Sequence, residues 1–148
     1  MVIDSKKITE DIIEKLKFLP CPKKFLAAVL VGEDSASVSF LARKEKTAKE
    51  LGLDFRTYGY PTSINSDELR KEVGKITVHK TCGGIIVQLP LPEHINPQYV
   101  LNAIPREKDV DVLGERALGA FYANRNPALP PAVATVDAIL KTLNFKLE

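Results

Sequence analysis

A lysine, an amide and a pair of acids are the residues here whose types and positions could do chemistry: Lys44, Gln88, and Asp109 with Asp111. Lys44 lies in the segment Ser35–Leu51, whose apolar spacing predicts a long helix. Wound at about 100° per residue with Leu41 at zero, that helix brings Val38, Ala48 and Leu51 to within about 80° of Leu41. Arg43, Lys46 and Glu50 fall on the opposite side, where solvated charges belong, with Lys49 at the margin at about +80°. Lys44 lands at about −60°, inside the apolar stripe, with Phe40 one turn before it. Two readings stand open. The lysine snorkels out along the stripe, or it enters a cleft that the stripe borders, where apolar surroundings lower its pKa and let it exchange protons near neutrality.

Gln88 ends the run GGIIVQLPLP, residues 83–92. Ile85, Ile86 and Val87 read as a strand buried on both faces. In a parallel sheet the carboxyl ends of strands border the ligand crevice. An amide there can both donate and accept hydrogen bonds, and Pro90 and Pro92 fix the backbone beyond it. The plainer alternative is a glutamine bonded to loop backbone. Asp109 and Asp111 are two residues apart and point to opposite faces if extended, so at most one enters a given cleft. Their plainer reading is a surface Asx-turn.

The elements that must position these groups follow from periodicity. Ser5 can cap a helix with Ile8, Ile12, Ile13 and Leu16 on one face. Phe25–Val31 reads as a buried strand, and Gly32–Ser35 as the turn into the Lys44 helix. Gly52 sits where that helix should terminate. Leu53–Tyr60 is a second strand. Asn65, Ser66 and Asp67 open a third helix carrying Leu69, Val73 and Ile76. Gly83–Leu89 is the third strand, and Pro97 starts a short helix through Ile104. Asp109–Val112 reads as a strand end or turn, residues 113–130 as irregular, and about Ala134–Leu143 as a last helix. Asn144–Lys146 is where a connection to something else would begin. Alternating helices and strands predict an α/β fold with a mostly parallel sheet flanked by helices in three layers. All of residues 1–148 are expected to form a single domain.

Composition narrows the function. The chain has 148 residues and a net charge of +2, with 21 basic and 19 acidic side chains interspersed. That is no electrostatic footprint for nucleic acid. The longest apolar run, Phe25–Val31, is too short to span a bilayer. The N-terminus lacks the long apolar stretch of a signal peptide. Cys21 and Cys82 make no disulfide framework, and a reducing cytoplasm is the expected setting. His79 and His94 are isolated, and no ligand spacing points to a metal.

Three stretches carry a resemblance. Val31–Gly32, Ser35–Lys44 and Ala48–Leu53 resemble the "VG…S..YV..K…A…GI" motif of the bifunctional methylenetetrahydrofolate dehydrogenase/cyclohydrolases. Gly83–Pro92 resembles their "G..VQLPLP" signature almost letter for letter. Pro105–Asp111, PREKDVD, resembles their "P.KDVDG". The likeness runs through essentially the whole chain in order. It implies the N-terminal catalytic, folate-binding domain of a two-domain dehydrogenase, without the Rossmann domain that follows in the family. NADP or NAD would be bound by that missing domain. No GxGxxG occurs in this sequence, so no residue here is assigned to the cofactor.

Carried over position by position, the resemblance implies catalytic roles for Lys44, Gln88 and Asp111. Lys44 matches the lysine that moves protons in the cyclohydrolase step. Gln88 matches the glutamine that holds and tunes it, so their polar ends should lie close. Asp111 matches the residue that binds the pterin ring, and Phe40 the aromatic that stacks on folate. Leu41, Ala42, Arg43, Val87, Leu89 and Pro90 are implied as further substrate-binding positions. The partners implied are tetrahydrofolate derivatives and, for the full-length protein, a second copy in a homodimer. Departures favour a competing reading, a degenerate homologue or folate-binding module. Phe40 replaces the family's tyrosine, Val112 its glycine, and Pro131-Ala132-Val133-Ala134 its Pro-Cys-Thr-Pro. A third reading, another enzyme of the same two-domain plan such as an amino-acid or shikimate dehydrogenase, is opposed by the glutamine-proline string.

Overall fold

The structure is a computed structural model and describes residues 3–126 and 128–143. Three strands form a parallel sheet: β1 (Phe25–Val31), β2 (Phe55–Tyr60) and β3 (Cys82–Val87), in the order β2-β1-β3. The expected α/β fold with a parallel sheet is the one observed. β1 is central because it is the strand that can be buried on both faces: Ala27, Ala28 and Val29 are wholly inaccessible. Its odd positions, Phe25, Ala27, Val29 and Val31, pack with Ile85 and Val87 against α3 (Ser66–Val78) and α4 (Pro97–Leu101). Its even positions, Leu26, Ala28 and Leu30, face α2 (Ser35–Glu50) with Ile86. Since side chains alternate along a strand, Gly84, Ile86 and Gln88 share the α2 face. The connections β1-α2-β2 and β2-α3-β3 lead to opposite sides of β1, so the crevice between the carboxyl ends of β1 and β3 is the topological switch point.

Helix ends follow local chemistry. Asp4, not Ser5, caps α1 (Ser5–Lys17), its carboxylate accepting from the Lys7 backbone N–H at 3.1 Å. α3 opens with a capping box in which Asn65 and Glu68 each accept the other's backbone N–H. α2 ends as expected at Gly52, which takes φ +73° while Gly52 and Leu53 donate to the carbonyls of Lys49 and Ala48. That pair of bonds is the Schellman arrangement. Residues 113–130, expected to be irregular, contain α5 (Glu115–Tyr122). Gly119 inside it weakens the helical pattern that Ala117, Leu118 and Phe121 otherwise carry. α6 (Pro131–Thr142) begins three residues before the expected Ala134, because Pro131 is tolerated in a first turn. The proposed connection at Asn144–Lys146 lies outside the described residues. None of the described helices is long and apolar enough to cross a membrane.

Val112 is a point of strain. It is 1% exposed and sits at φ 55°, in the left-handed region that a β-branched residue disfavours. Left-handed backbone costs an L-residue about 1–2 kcal/mol, whereas burying a valine stabilises by about 1.5–3 kcal/mol. Glycine here also adds about 0.5–1 kcal/mol of unfolded-state entropy to the cost of folding. Val112→Gly therefore destabilises by about 1.5 kcal/mol net. The check is the midpoint of a urea transition, which should fall; a rise would show that the strain outweighs the packing.

Candidate functional site

α2 turns toward the sheet a face that is rotated from the expected one. Ser37, Leu41 and Ala48 are its buried residues, while Val38, assigned to the stripe, is 42% exposed. On the same winding Ser37 stands at about −40° and Ala48 at about −20°, so the buried face centres at about −20° and Lys44, at about −60°, flanks it closely. Lys44 is half-buried and borders a groove of about 360 Å³ with Leu26, Ala48, Leu51, Phe55 and Ile86. Its Nζ lies 4.9 Å from the centre of the Phe40 ring, one turn back along the helix. That is within cation–π range. Phe40 is 48% exposed.

Gln88 lies one residue past the end of β3, and its backbone N–H still bonds the Val29 carbonyl at 2.9 Å. Its Nε2 donates to the neighbouring Leu89 carbonyl at 2.7 Å, and this leaves Oε1 buried without a partner. An unsatisfied buried acceptor costs about 1–3 kcal/mol, which a donor arriving with a ligand would recover. Neither polar atom of Gln88 is bonded directly to Lys44. The Leu89–Pro90 peptide bond is cis.

The acids arrive on a turn laid over β3. Gly84 makes this approach possible: a Cβ there would come within 2.5 Å of Val110 Cγ1. A one-residue bridge pairs Ile85 with Asp109 after a 3-10 turn at Arg106–Lys108. Asp109 is buried and Asp111 half-buried. Burial pushes the Asp111 carboxyl above its ordinary range, the nearby Lys44 charge opposes that shift, and Asp109 adds to it. Lys44 from a helix and Asp111 from a turn thus meet in one electrostatic environment although 67 positions separate them in sequence.

The remaining predicted positions divide. Arg43 borders the Lys44 groove, its guanidinium 5.8 Å from the Phe40 ring centre. Leu41 is core beneath the helix. Ala42 lies on the outer side of α2 with Glu45, Lys46 and Lys49. Val87 and Leu89 pack into the α3-side core, away from Lys44, and Pro90 is exposed. The apolar floor formed by Leu26 and Ile86 was not predicted, although the alternation along β1 and β3 carries that signal. Among the described residues no group of acids, histidines and cysteines could hold a metal.

The fold and site together define an open parallel α/β domain with a half-buried lysine and a half-buried carboxylate on the α2 side of its sheet and an unpartnered amide acceptor just past the end of β3. The profile of the family "Tetrahydrofolate dehydrogenase/cyclohydrolase, catalytic domain" matches residues 3–111. The chain belongs to that family. It is 32% identical over 148 residues to the bifunctional protein FolD of Clostridium perfringens, covering 100% of this chain and 53% of the relative. It is 30% identical over 152 residues to the mitochondrial bifunctional methylenetetrahydrofolate dehydrogenase/cyclohydrolase of Drosophila melanogaster, covering 98% and 49%. The FolD crystal structure from Campylobacter jejuni superposes with a TM-score of 0.83 at 32% identity, covering 97% of this chain and 52% of that one. A methylenetetrahydrofolate dehydrogenase from Bombyx mori gives 0.88 at 28% identity, covering 95% and 51%. The chain therefore spans about half the length of the curated relatives it matches.

Proposed function

We propose that this chain is the folate-binding catalytic half of an enzyme of one-carbon metabolism. In the complete protein it takes part in the NAD(P)-dependent oxidation of 5,10-methylenetetrahydrofolate to the methenyl form, and then hydrolyses that to 10-formyltetrahydrofolate. The observation that carries the reading is that the Lys44 charge acts on the half-buried Asp111 carboxyl across the α2 side of the sheet, the side to which alternation along β3 also directs Gln88 and its unpartnered Oε1. In the hydrolysis, water adds to the methenyl carbon and loses a proton, and one carbon–nitrogen bond of the folate breaks. We assign the taking and return of that proton to Lys44. Gln88 Oε1 is the acceptor that can orient either the lysine or the water. Asp111, with its raised affinity for protons, offers hydrogen bonds to the amide edge of the pterin. Phe40 supplies a stacking face.

Among the described residues we find no cradle for the nicotinamide cofactor. The turn between β1 and α2 is the place where a phosphate would meet a helix N-terminus. It carries Glu33 and Asp34, and Asp34 already accepts the Ser37 N–H at 2.8 Å. The cofactor, NADP or NAD, is accordingly assigned to residues of the full-length protein other than these, which we take to be a cytoplasmic homodimer. Titration calorimetry of the 148-residue chain tests both halves of the proposal. Methenyltetrahydrofolate should bind saturably and NADP should not. Saturable micromolar NADP binding would overturn the division of labour, and no folate binding up to millimolar concentration would overturn the site.

The binding-only alternative rests on Phe40, which lacks the hydroxyl found in the family motif. Phe40→Tyr should be tolerated, because the ring is half in solvent. One new hydrogen bond should tighten folate binding by about 1 kcal/mol. Unchanged affinity in a folded Phe40→Tyr chain would show that the hydroxyl has no partner here.

A further inference from the structure

We propose that Asp109 is the positioning residue of this site: its buried carboxylate closes the turn over residues 109–114 and so fixes where Asp111 stands relative to Lys44. The importance of that placement rests on the folate-site reading above, but its geometry does not. Asp109 is 4% exposed. Its Oδ2 accepts the backbone N–H of Gly114 at 2.8 Å and of Leu113 at 3.1 Å. Among the described residues no cation lies within ion-pair distance of it, so these amides are what hold the carboxylate. The bridge to Ile85 pins the start of the turn to β3. Between the two anchors the chain must pass through Asp111 and the left-handed Val112.

The turn is built around this one oxygen. A Cβ on Gly114 would stand 3.1 Å from Asp109 Oδ2 and 3.2 Å from the Leu101 carbonyl oxygen, so a side chain there would contest the bond. Asn102 holds the next amide, accepting from Glu115 N–H at 2.9 Å, and thereby starts α5. The neighbouring Lys108 is turned away, donating to the carbonyls of Thr77 and His79. The charges acting on Asp111 are Lys44 from α2 and Asp109 from its own turn. On the α2 face β3 presents Gly84, Ile86 and Gln88, none of which titrates. Asp109 therefore acts on the site in two ways, through backbone placement and through its negative charge. Asparagine separates them, since it keeps an oxygen acceptor and removes the charge.

Carboxyl-resolved NMR titration and amide hydrogen exchange of the 148-residue chain test the proposal. In Asp109→Asn the Leu113 and Gly114 amides should stay protected while the Asp111 midpoint falls. In Asp109→Ala their exchange should quicken roughly tenfold or more relative to core amides such as Val29. The decisive measurement is the shift of the Asp111 midpoint caused by Lys44→Met. It should be upward in the parent chain and in Asp109→Asn, and should largely vanish in Asp109→Ala, where the turn no longer aims Asp111 at the lysine. A shift of the same size in Asp109→Ala would overturn the proposal. Should that variant not fold, Gly114→Ala displaces the carboxylate without removing it and must weaken the same shift; an undiminished shift there refutes positioning equally. Neither readout involves folate, so failure of the folate reading would leave these outcomes unaltered and separately legible.

Discussion

Replacing Lys44 by Met should cut the proposed cyclohydrolase activity of the complete protein sharply while this domain stays folded. The stem of Lys44 crosses an apolar groove floored by Leu26 and Ile86, and methionine fills the same path without a charge. Methionine is also about as good a helix former as lysine, so α2 loses nothing in propensity. What disappears is the amine beside Phe40 and Asp111. A positioned proton carrier contributes about 10²–10⁴-fold to a rate, and the fall should lie in that range. The assay is hydrolysis of methenyltetrahydrofolate followed by its absorbance, with circular dichroism as the folding control. A variant hydrolysing at the parental rate would end the assignment of Lys44 as the proton carrier. The same substitution carries an internal check. With the lysine charge gone, Asp111 loses the one influence that lowers its pKa, so its titration should move further up.

The lysine was legible because helix winding needs only spacing, and a charge inside an apolar stripe is a conflict visible without coordinates. The stripe's centre was not legible. Apolar spacing puts Val38 in the stripe around Leu41, yet the structure buries the small Ser37 and leaves Val38 42% exposed. Which face is buried depends on where the sheet lies, and residue size alone does not fix that. Gln88 could be placed at a strand end because the prolines punctuate the run, and alternation from Ile86 puts it on the α2 side. Its neighbours Val87 and Leu89, which the resemblance also implies as substrate-binding, alternate with it along extended chain and pack on the opposite face. The turn at 109–114 was half legible. The separation of the two acids predicted opposite faces, and one is indeed buried while the other is partly open. That the buried one holds backbone amides four and five residues ahead is a tertiary fact, set by Gly84 admitting Val110. α5 went unseen because Gly119 broke its pattern.

Asp111→Asn should separate stability from function, and in opposite directions. Burial is the largest influence on this carboxyl and raises its pKa, with Asp109 adding and Lys44 opposing. Between the unfolded and folded pKa the native state holds more protons than the unfolded state, so stability falls as pH rises through that window. Below the unfolded value, 3.8, the carboxyl is neutral in both states and burdens neither. Above the folded value the full cost of burying the charge is present. Asparagine is nearly isosteric and never ionises, so Asp111→Asn should raise the melting temperature at pH 7 and leave it almost unchanged below pH 3.8. The loss of attraction to Lys44 subtracts from the gain but does not reverse it, because the net shift is upward. The pterin reading demands the contrary for ligand. A carboxylate hydrogen-bonding to the pterin amide edge contributes about 1.5–3 kcal/mol, so folate affinity should fall by roughly 10- to 100-fold. Scanning calorimetry across pH and folate titration on the same variant settle the two halves independently. A melting temperature that rises equally at acid and neutral pH would show that the stabilisation is not electrostatic. An affinity that survives the change would free Asp111 from the ligand and leave its buried charge without a functional reason. A gain in stability coupled to a loss in binding is the signature of a carboxylate kept at this position for its ligand, against the interest of the fold.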